Sequence, residues 1–176
     1  QYSYRSVGPA FMSGRIADIA IDSNNENVWY VAVGSGGVWK TKNAGTTWMP
    51  LTDNMPFYST GSITIDPNDS SRIWVGTGEN VAGRHVGIGH GIYLSKDSGS
   101  TWDDMGLNKS EHISKIIVHP DNSNIIWVAS QGPLWNSGGD RGLFMSTDGG
   151  NTWSNKLYVN EWTGVTDIII DPTNPD

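Results

Sequence analysis

The chain has 176 residues, a formal net charge of -7 and no cysteine. The acidic balance argues against nucleic acid or an anionic membrane as partner, because phosphates need a basic face, and the lack of thiols excludes disulfides and thiolate chemistry. No apolar run approaches the roughly 20 residues of a membrane helix, so no membrane insertion is expected.

The first residue is Gln1, and no charged-then-apolar leader follows it; a processed or excised chain is expected. The 22 glycines and 9 tryptophans point to many short strands joined by tight turns. The sequence repeats. An eight-residue box ending in Trp48, Trp102 and Trp153 reads TKNAGTTW, SKDSGSTW and STDGGNTW, with its tryptophans about 50 residues apart, as in propeller blades.

Residues 1–13 form an N-terminal segment, and the repeats follow as 14–53, 54–107, 108–159 and an incomplete 160–176. Each repeat opens on an apolar strand at 16–21, 60–65, 113–118 or 165–170, and these runs predict strands buried on both faces. Asp-Pro or His-Pro closes the later copies, since proline cannot donate to a ladder. A second strand carries Tyr30-Val31-Ala32, Trp74-Val75-Gly76 or Trp127-Val128-Ala129. A third follows Gly37, Gly91 or Gly142 and runs into the box, and a fourth starts at the box tryptophan. Four short strands per repeat without helices predict an all-β chain of β-propeller blades, each of four antiparallel strands: about three blades plus the first strand of a fourth.

The box falls between strands three and four and reads as a hairpin turn. Asn43, Asp97 and Asp148 can bond their own backbone a few residues on. Gly45, Gly99 and Gly150 sit where positive φ is needed. A calcium loop needs several acids at alternate positions, whereas each box offers one acid or its amide. No metal and no cofactor are expected.

The boxes match the Asp-box, or bacterial neuraminidase repeat, S/T-x-D-x-G-x-T-W, with Asn43 as the first copy's departure. With "VGPAFMSGRIADIAID", "GSGGVWKTKNAGTTW", "VGTGEN" and "QGPLWNSGGDRGL", the chain resembles the N-terminal part of a bacterial Asp-box propeller of the sortilin-like, glycosyl hydrolase-like group. The resemblance implies a secreted, periplasmic or cell-surface protein of a bacterium. It is specific for architecture and poor for activity, because the box occurs in sialidases, xyloglucan hydrolases and non-enzymatic receptors.

Three blades and a stub leave edges that invite pairing. The chain is therefore expected to belong to a longer protein, its edges covered by the remaining blades or by another chain. The strand 1–2 turns and the boxes should share one face, and the strand 2–3 loops and strand 4–1 links the other. Positions that recur in every repeat are scaffold, whereas positions that vary are free for function. The strand 2–3 loop is short in the first repeat and expands to 79–90 in the second and to 132–141 in the third. Arg15, Glu79, Arg84, His85, His90, His112, Trp135, Asp140, Arg141 and Trp162 should therefore gather on the loop face. There an exposed tryptophan could stack on a sugar or anchor a peptide, and Glu79–Arg84 and Asp140–Arg141 also read as plain loop ion pairs. His119, in place of the usual strand-end acid, reads as a turn residue.

Glycoside hydrolysis takes two carboxylates. Glu79, Glu111, Asp140 and Glu161 qualify by location alone, with Glu79 and Asp140 the weak candidates carried forward. By resemblance, xyloglucan-hydrolysing propellers carry an acid two residues before the paired glycines of strand three in the first blade. The matching position here is Gly34. Sialidases carry Arg-Ile-Pro, where this chain has Arg15-Ile16-Ala17. The reading is a protein-, peptide- or glycan-binding scaffold. The alternative is part of a glycoside hydrolase whose catalytic residues are completed by further blades.

Overall fold

The computed structural model describes residues 14–171 apart from 82 and 84, together with 173–175. The expected N-terminal segment 1–13 and Arg84 lie outside the described residues. Twelve strands follow one another without a helix among the described residues: β1 (Ile16–Ile21), β2 (Trp29–Val33), β3 (Gly37–Thr41), β4 (Met49–Pro50), β5 (Thr60–Asp66), β6 (Asp69–Thr77), β7 (Ile92–Ser95), β8 (Asp103–Asp104), β9 (Ile113–His119), β10 (Asn122–Ser130), β11 (Gly142–Ser146) and β12 (Ser154–Leu157). They pair antiparallel, in chain order, into three separate 4-stranded sheets. The expected blades are there, and the fourth strands begin one residue after the box tryptophans rather than on them.

The turns after the first segment of each repeat follow from side chains that bond their own backbone. Asp22 and Asp66 each accept from the amide two residues on at 2.9 Å, and Asp171 does so at 2.8 Å. His119 reproduces this turn with its imidazole, Nδ1 accepting from the Asp121 amide at 3.1 Å.

The box is a closed hydrogen-bond circuit. In the third copy the Ser146 hydroxyl bonds Asp148 and accepts from the Gly150 amide at 2.8 Å. The Asp148 carboxylate in turn accepts from the Thr152 amide at 2.9 Å and its hydroxyl at 2.6 Å. The second copy repeats this circuit through Ser95, Asp97, Gly99 and Thr101, and the first through Thr41, Asn43, Gly45 and Thr47. Gly45, Gly99 and Gly150 have φ of 86°, 93° and 91°, and the residue before each, Ala44, Ser98 or Gly149, is also left-handed. The bonds from Thr101 and Thr152, with those from Ser95 and Ser146, hold the Asp97 and Asp148 carboxyls down to about 2.

The boxes also touch other elements. Each bonds the strand 1–2 turn of its own blade, through Ala44 to Asn27, Ser98 to Ser71 and Gly149 to Asn124, which places turns and boxes on one face. In the second and third copies the box also packs on the preceding blade. A side chain at Gly150 would meet the Trp74 ring at 2.5 Å, and one at Gly99 would meet Leu51 at 2.4 Å. Trp153 stands edge-on to Trp74, with centroids 6.5 Å apart, and donates to the Met105 carbonyl at 2.7 Å. Such an aromatic pair adds about 1 kcal/mol beyond its buried area. Lys40, buried beside the Tyr30 ring, donates to the Ser98 carbonyl at 3.0 Å.

The core accordingly lies between blades. Tyr30, Ala32 and Val38 of the first sheet meet Ile63, Ile73, Val75 and Tyr93 of the second, while Trp74, Ile92 and Leu94 meet Ile116, Val118, Ile126, Val128 and Phe144 of the third. Near the axis, the Asp18 carboxylate of β1 accepts from the Ile63 amide of β5 at 3.2 Å and pairs with Lys115 of β9 at 3.5 Å.

Two expectations about the first strands are corrected. β1 is not buried on both faces: Ile16, Ile19 and Ile21 are each about half exposed, because among the described residues no sheet covers their side of the first blade. Residues 165–170 form no strand. The Val165 amide donates to Ser130 and its carbonyl accepts from Ser114, but among the described residues no second strand of a fourth blade lies beside the segment to complete a ladder. Ile168 to Ile170 instead line an apolar groove with Ile117, Trp127 and Leu143.

Two outcomes follow. Gly150→Ala places a methyl on Trp74 and forces a left-handed φ on a chiral residue. It should cost about 2 kcal/mol or more, read from denaturant unfolding. Because the Asp97 and Asp148 pKa values are depressed in the folded state, their contribution is present above the ordinary carboxyl range and is lost as pH falls to about 2. The double variant Asp97→Asn/Asp148→Asn should therefore show a shallower fall of Tm between about pH 4 and about pH 2 than the parent, with Asn43 as precedent that the amide keeps the circuit.

Candidate functional site

The face opposite the boxes is a continuous polar network running across all three blades. It starts at Glu79, whose side chain is 1% exposed although it lies in the long loop after β6. The Arg15 guanidinium holds this carboxylate through Nε at 3.1 Å and through Nη2. Ser35 donates to it at 3.0 Å and the Gly87 amide at 3.0 Å. Burial pushes the Glu79 carboxyl up, but Arg15, Gly87 and Ser35 together outweigh it, so the group sits below its ordinary range and is ionised.

The Glu79 carbonyl meets Nδ1 of His112 at 2.8 Å. His112 is buried, and desolvation lowers its pKa, with the bond to Glu79 opposing the shift. The Asn80 carbonyl next along accepts from Gln131 at 3.1 Å. The Gln131 carbonyl then accepts from Arg141 at 2.6 Å, and the same guanidinium nitrogen reaches the Trp162 carbonyl at 3.2 Å. First, second, third and incipient fourth repeats are thereby linked through their loops.

Arg15, Glu79 and His112 come together, and so do Arg141 and the backbones around Trp135 and Trp162. His85 and His90 are exposed, and the His90 amide is fixed by the Thr77 hydroxyl at 2.7 Å. Among the described residues Glu79 pairs with Arg15 and not with a neighbour in its own loop. Asp140 and Arg141 form no ion pair with each other. The Asp140 carboxylate accepts from the Lys109 amide at 3.0 Å, tying the loop to the strand 4–1 link. Arg141 is buried and donates to carbonyls alone. Trp135 and Trp162 are 69% and 63% exposed, large apolar surfaces presented to water on this face. Among the described residues no group of three histidines or acids is placed to hold a metal.

Ser35 and Gln131 are network members that the sequence reading passed over. Comparing repeats could have raised Gln131, which stands where the other copies have Gly34 and Gly78. A side chain at Gly34 would meet the Glu79 carboxylate at 2.5 Å. The volume of a residue-34 side chain is filled by an acid from the next blade.

No protein-family model matches the chain. Curated relatives are fungal and bacterial enzymes. An oligoxyloglucan-reducing end-specific xyloglucanase of Emericella nidulans is 25% identical over 158 residues, covering 81% of this chain and 18% of that protein. A xyloglucanase of Acetivibrio thermocellus is 26% identical over 180 residues, 94% of this chain and 20% of that one. One of Hypocrea jecorina is 27% identical over 187 residues, 98% and 21%. The chain thus spans about a fifth of these relatives. Among solved structures, a GH74 enzyme of Niastella koreensis superposes with a TM-score of 0.59 at 20% identity, covering 82% of this chain and 23% of that one. YCF48 from Cyanidioschyzon merolae gives 0.54 at 18%, covering 86% and 40%. At such identities the structural likeness speaks for the propeller fold alone.

Replacing Arg15 by Gln removes the cation that faces the buried Glu79. The Glu79 carboxyl should then titrate higher than in the parent protein, toward or above the ordinary carboxyl range, as followed by carbon NMR of the side chain. An unchanged titration would mean that Gly87 and Ser35 alone hold the charge.

Proposed function

We propose that these blades belong to a glycoside-hydrolase propeller of the xyloglucanase kind, exported from the cell, and that they offer its glucan substrate the face bearing the 79–90 and 132–141 loops. The observation that carries this reading is the alignment of nearly the whole chain with xyloglucanases. It is supported by the exposed indoles of Trp135 and Trp162 on the loop face, since an aromatic plane stacks on the apolar face of a pyranose ring.

Hydrolysis of a glycosidic bond needs a proton donor and a second carboxylate across the bond. Glu79 is ionised and sealed by Arg15, Ser35 and Gly87, so it cannot donate a proton in this state. The donor is then another carboxylate, either Asp140 of the third loop or one on a further blade. Glu79 lies where a residue-34 acid would reach, so it brings negative charge to that location and suits an electrostatic role.

A second reading, a glycan- or peptide-binding scaffold without turnover, is favoured by one observation: Gly34 has no carboxylate, and the Glu79 group over it is 1% exposed. Reducing-sugar release from xyloglucan by the full-length protein separates the two. The first reading expects turnover, lost in Glu79→Gln. It also expects Trp135→Ala to weaken xyloglucan binding about tenfold, or ~1.4 kcal/mol, by calorimetry. Binding without turnover would favour the scaffold, and neither binding nor turnover on any β-glucan would remove the proposal.

A further inference from the structure

We propose that Arg141 is the positioning residue of a two-tryptophan contact surface, holding Trp135 and Trp162 from successive repeats in one fixed arrangement so that they engage a ligand as a unit. That the ligand is a glucan rests on the function proposed above; the holding role does not.

A guanidinium has five N–H donors and accepts nothing. All five are used here. Nε donates to the Gly138 carbonyl at 3.2 Å, Nη1 to Gln131 at 2.6 Å and Trp162 at 3.2 Å, and Nη2 to Pro133 at 2.5 Å and Asn136 at 3.0 Å. Four of these carbonyls fix the 131–138 stretch that carries Trp135, and the fifth belongs to Trp162 itself. Arg141 is 5% exposed, and among the described residues it enters no salt bridge. A buried charge without a counter-ion is costly unless fully hydrogen-bonded, so the converging carbonyls and the cation stabilise one another.

The backbone is shaped for this cation. Gly132, at φ 70°, lies so close that a side chain there would stand 3.0 Å from the guanidinium carbon. The Gly138 amide also donates to the Glu161 carbonyl at 2.8 Å, a second tie between the two tryptophan-bearing segments.

The blade fold does not require such a residue. The position before the strand-three glycine is Gly36 in the first repeat and His90 in the second, and both blades close without a guanidinium there. Arg141 therefore belongs with what is particular to the third loop, and the particular feature of that loop is its exposed tryptophan. Lysine cannot replace it, because an ammonium has three donors and no planar fork.

The test uses Arg141→Lys and Arg141→Gln in the full-length protein labelled with 5-fluorotryptophan, with the fluorine resonances assigned by single Trp→Phe variants. In both variants the Trp135 and Trp162 resonances should move together toward the solvent-averaged position. Exchange of the Gly138 amide should rise about tenfold or more, while the box amides of Gly45, Gly99 and Gly150 keep their protection. On xyloglucan, Trp135→Ala and Trp162→Ala should be non-additive in the parent and additive with Lys at 141. The proposal is overturned if only one indole responds, if neither does, or if the box amides lose protection in step, since Arg141 would then hold the blade rather than the surface. A parent protein that binds no xyloglucan would remove the glucan reading, and the fluorine and exchange measurements would still decide the holding role.

Discussion

The structure depends on one constraint: a four-stranded blade cannot bury its own apolar face and must place it against the next blade. The box enforces that contact. Its left-handed glycine leaves no side chain between the turn and the preceding blade, so Gly150 comes down on Trp74 and Gly99 on Leu51. Everything on the opposite face inherits its register from this packing, because the strand 2–3 loops are the other ends of the same ladders. The loop network from Arg15 through Glu79, Asn80 and Gln131 to Arg141 closes only when successive blades stand at the spacing the boxes set.

Work is thereby divided between the faces. On the box face the same circuit is written three times, and its amide or carboxylate is occupied by its own turn. On the loop face no two repeats agree. Buried charges there are neutralised in different ways, Glu79 by an arginine from another blade and Arg141 by carbonyls alone. Loops held on a rigid scaffold and free to vary are where recognition is built.

Much of the fold was legible in the sequence because each box residue answers a local backbone demand: the glycine a positive φ, the acid or amide an orphan amide, the tryptophan a neighbouring apolar face. The first strands β5 and β9 are largely buried as their apolar runs imply, whereas the exposure of Ile19 and Ile21 in β1 is decided by what lies beside the blade, not by the strand itself. The site was legible only in outline. Repeat comparison picked out the right loops, but Arg15 and Glu79 are 64 residues apart and no spacing rule joins them. Arg141 looks like any loop arginine until its five acceptors are seen, four of which are carbonyls of the loop itself and carry no side-chain signature.

On the function proposed above, the loop face binds substrate and the box face supports it. A crystal structure of the full-length protein with a bound xyloglucan oligosaccharide tests this division most directly. Sugar rings should lie against Trp135 or Trp162, with Arg141 still buried beneath them. An oligosaccharide seated over the turns of Asn43, Asp97 and Asp148, with the loop face empty, would contradict it.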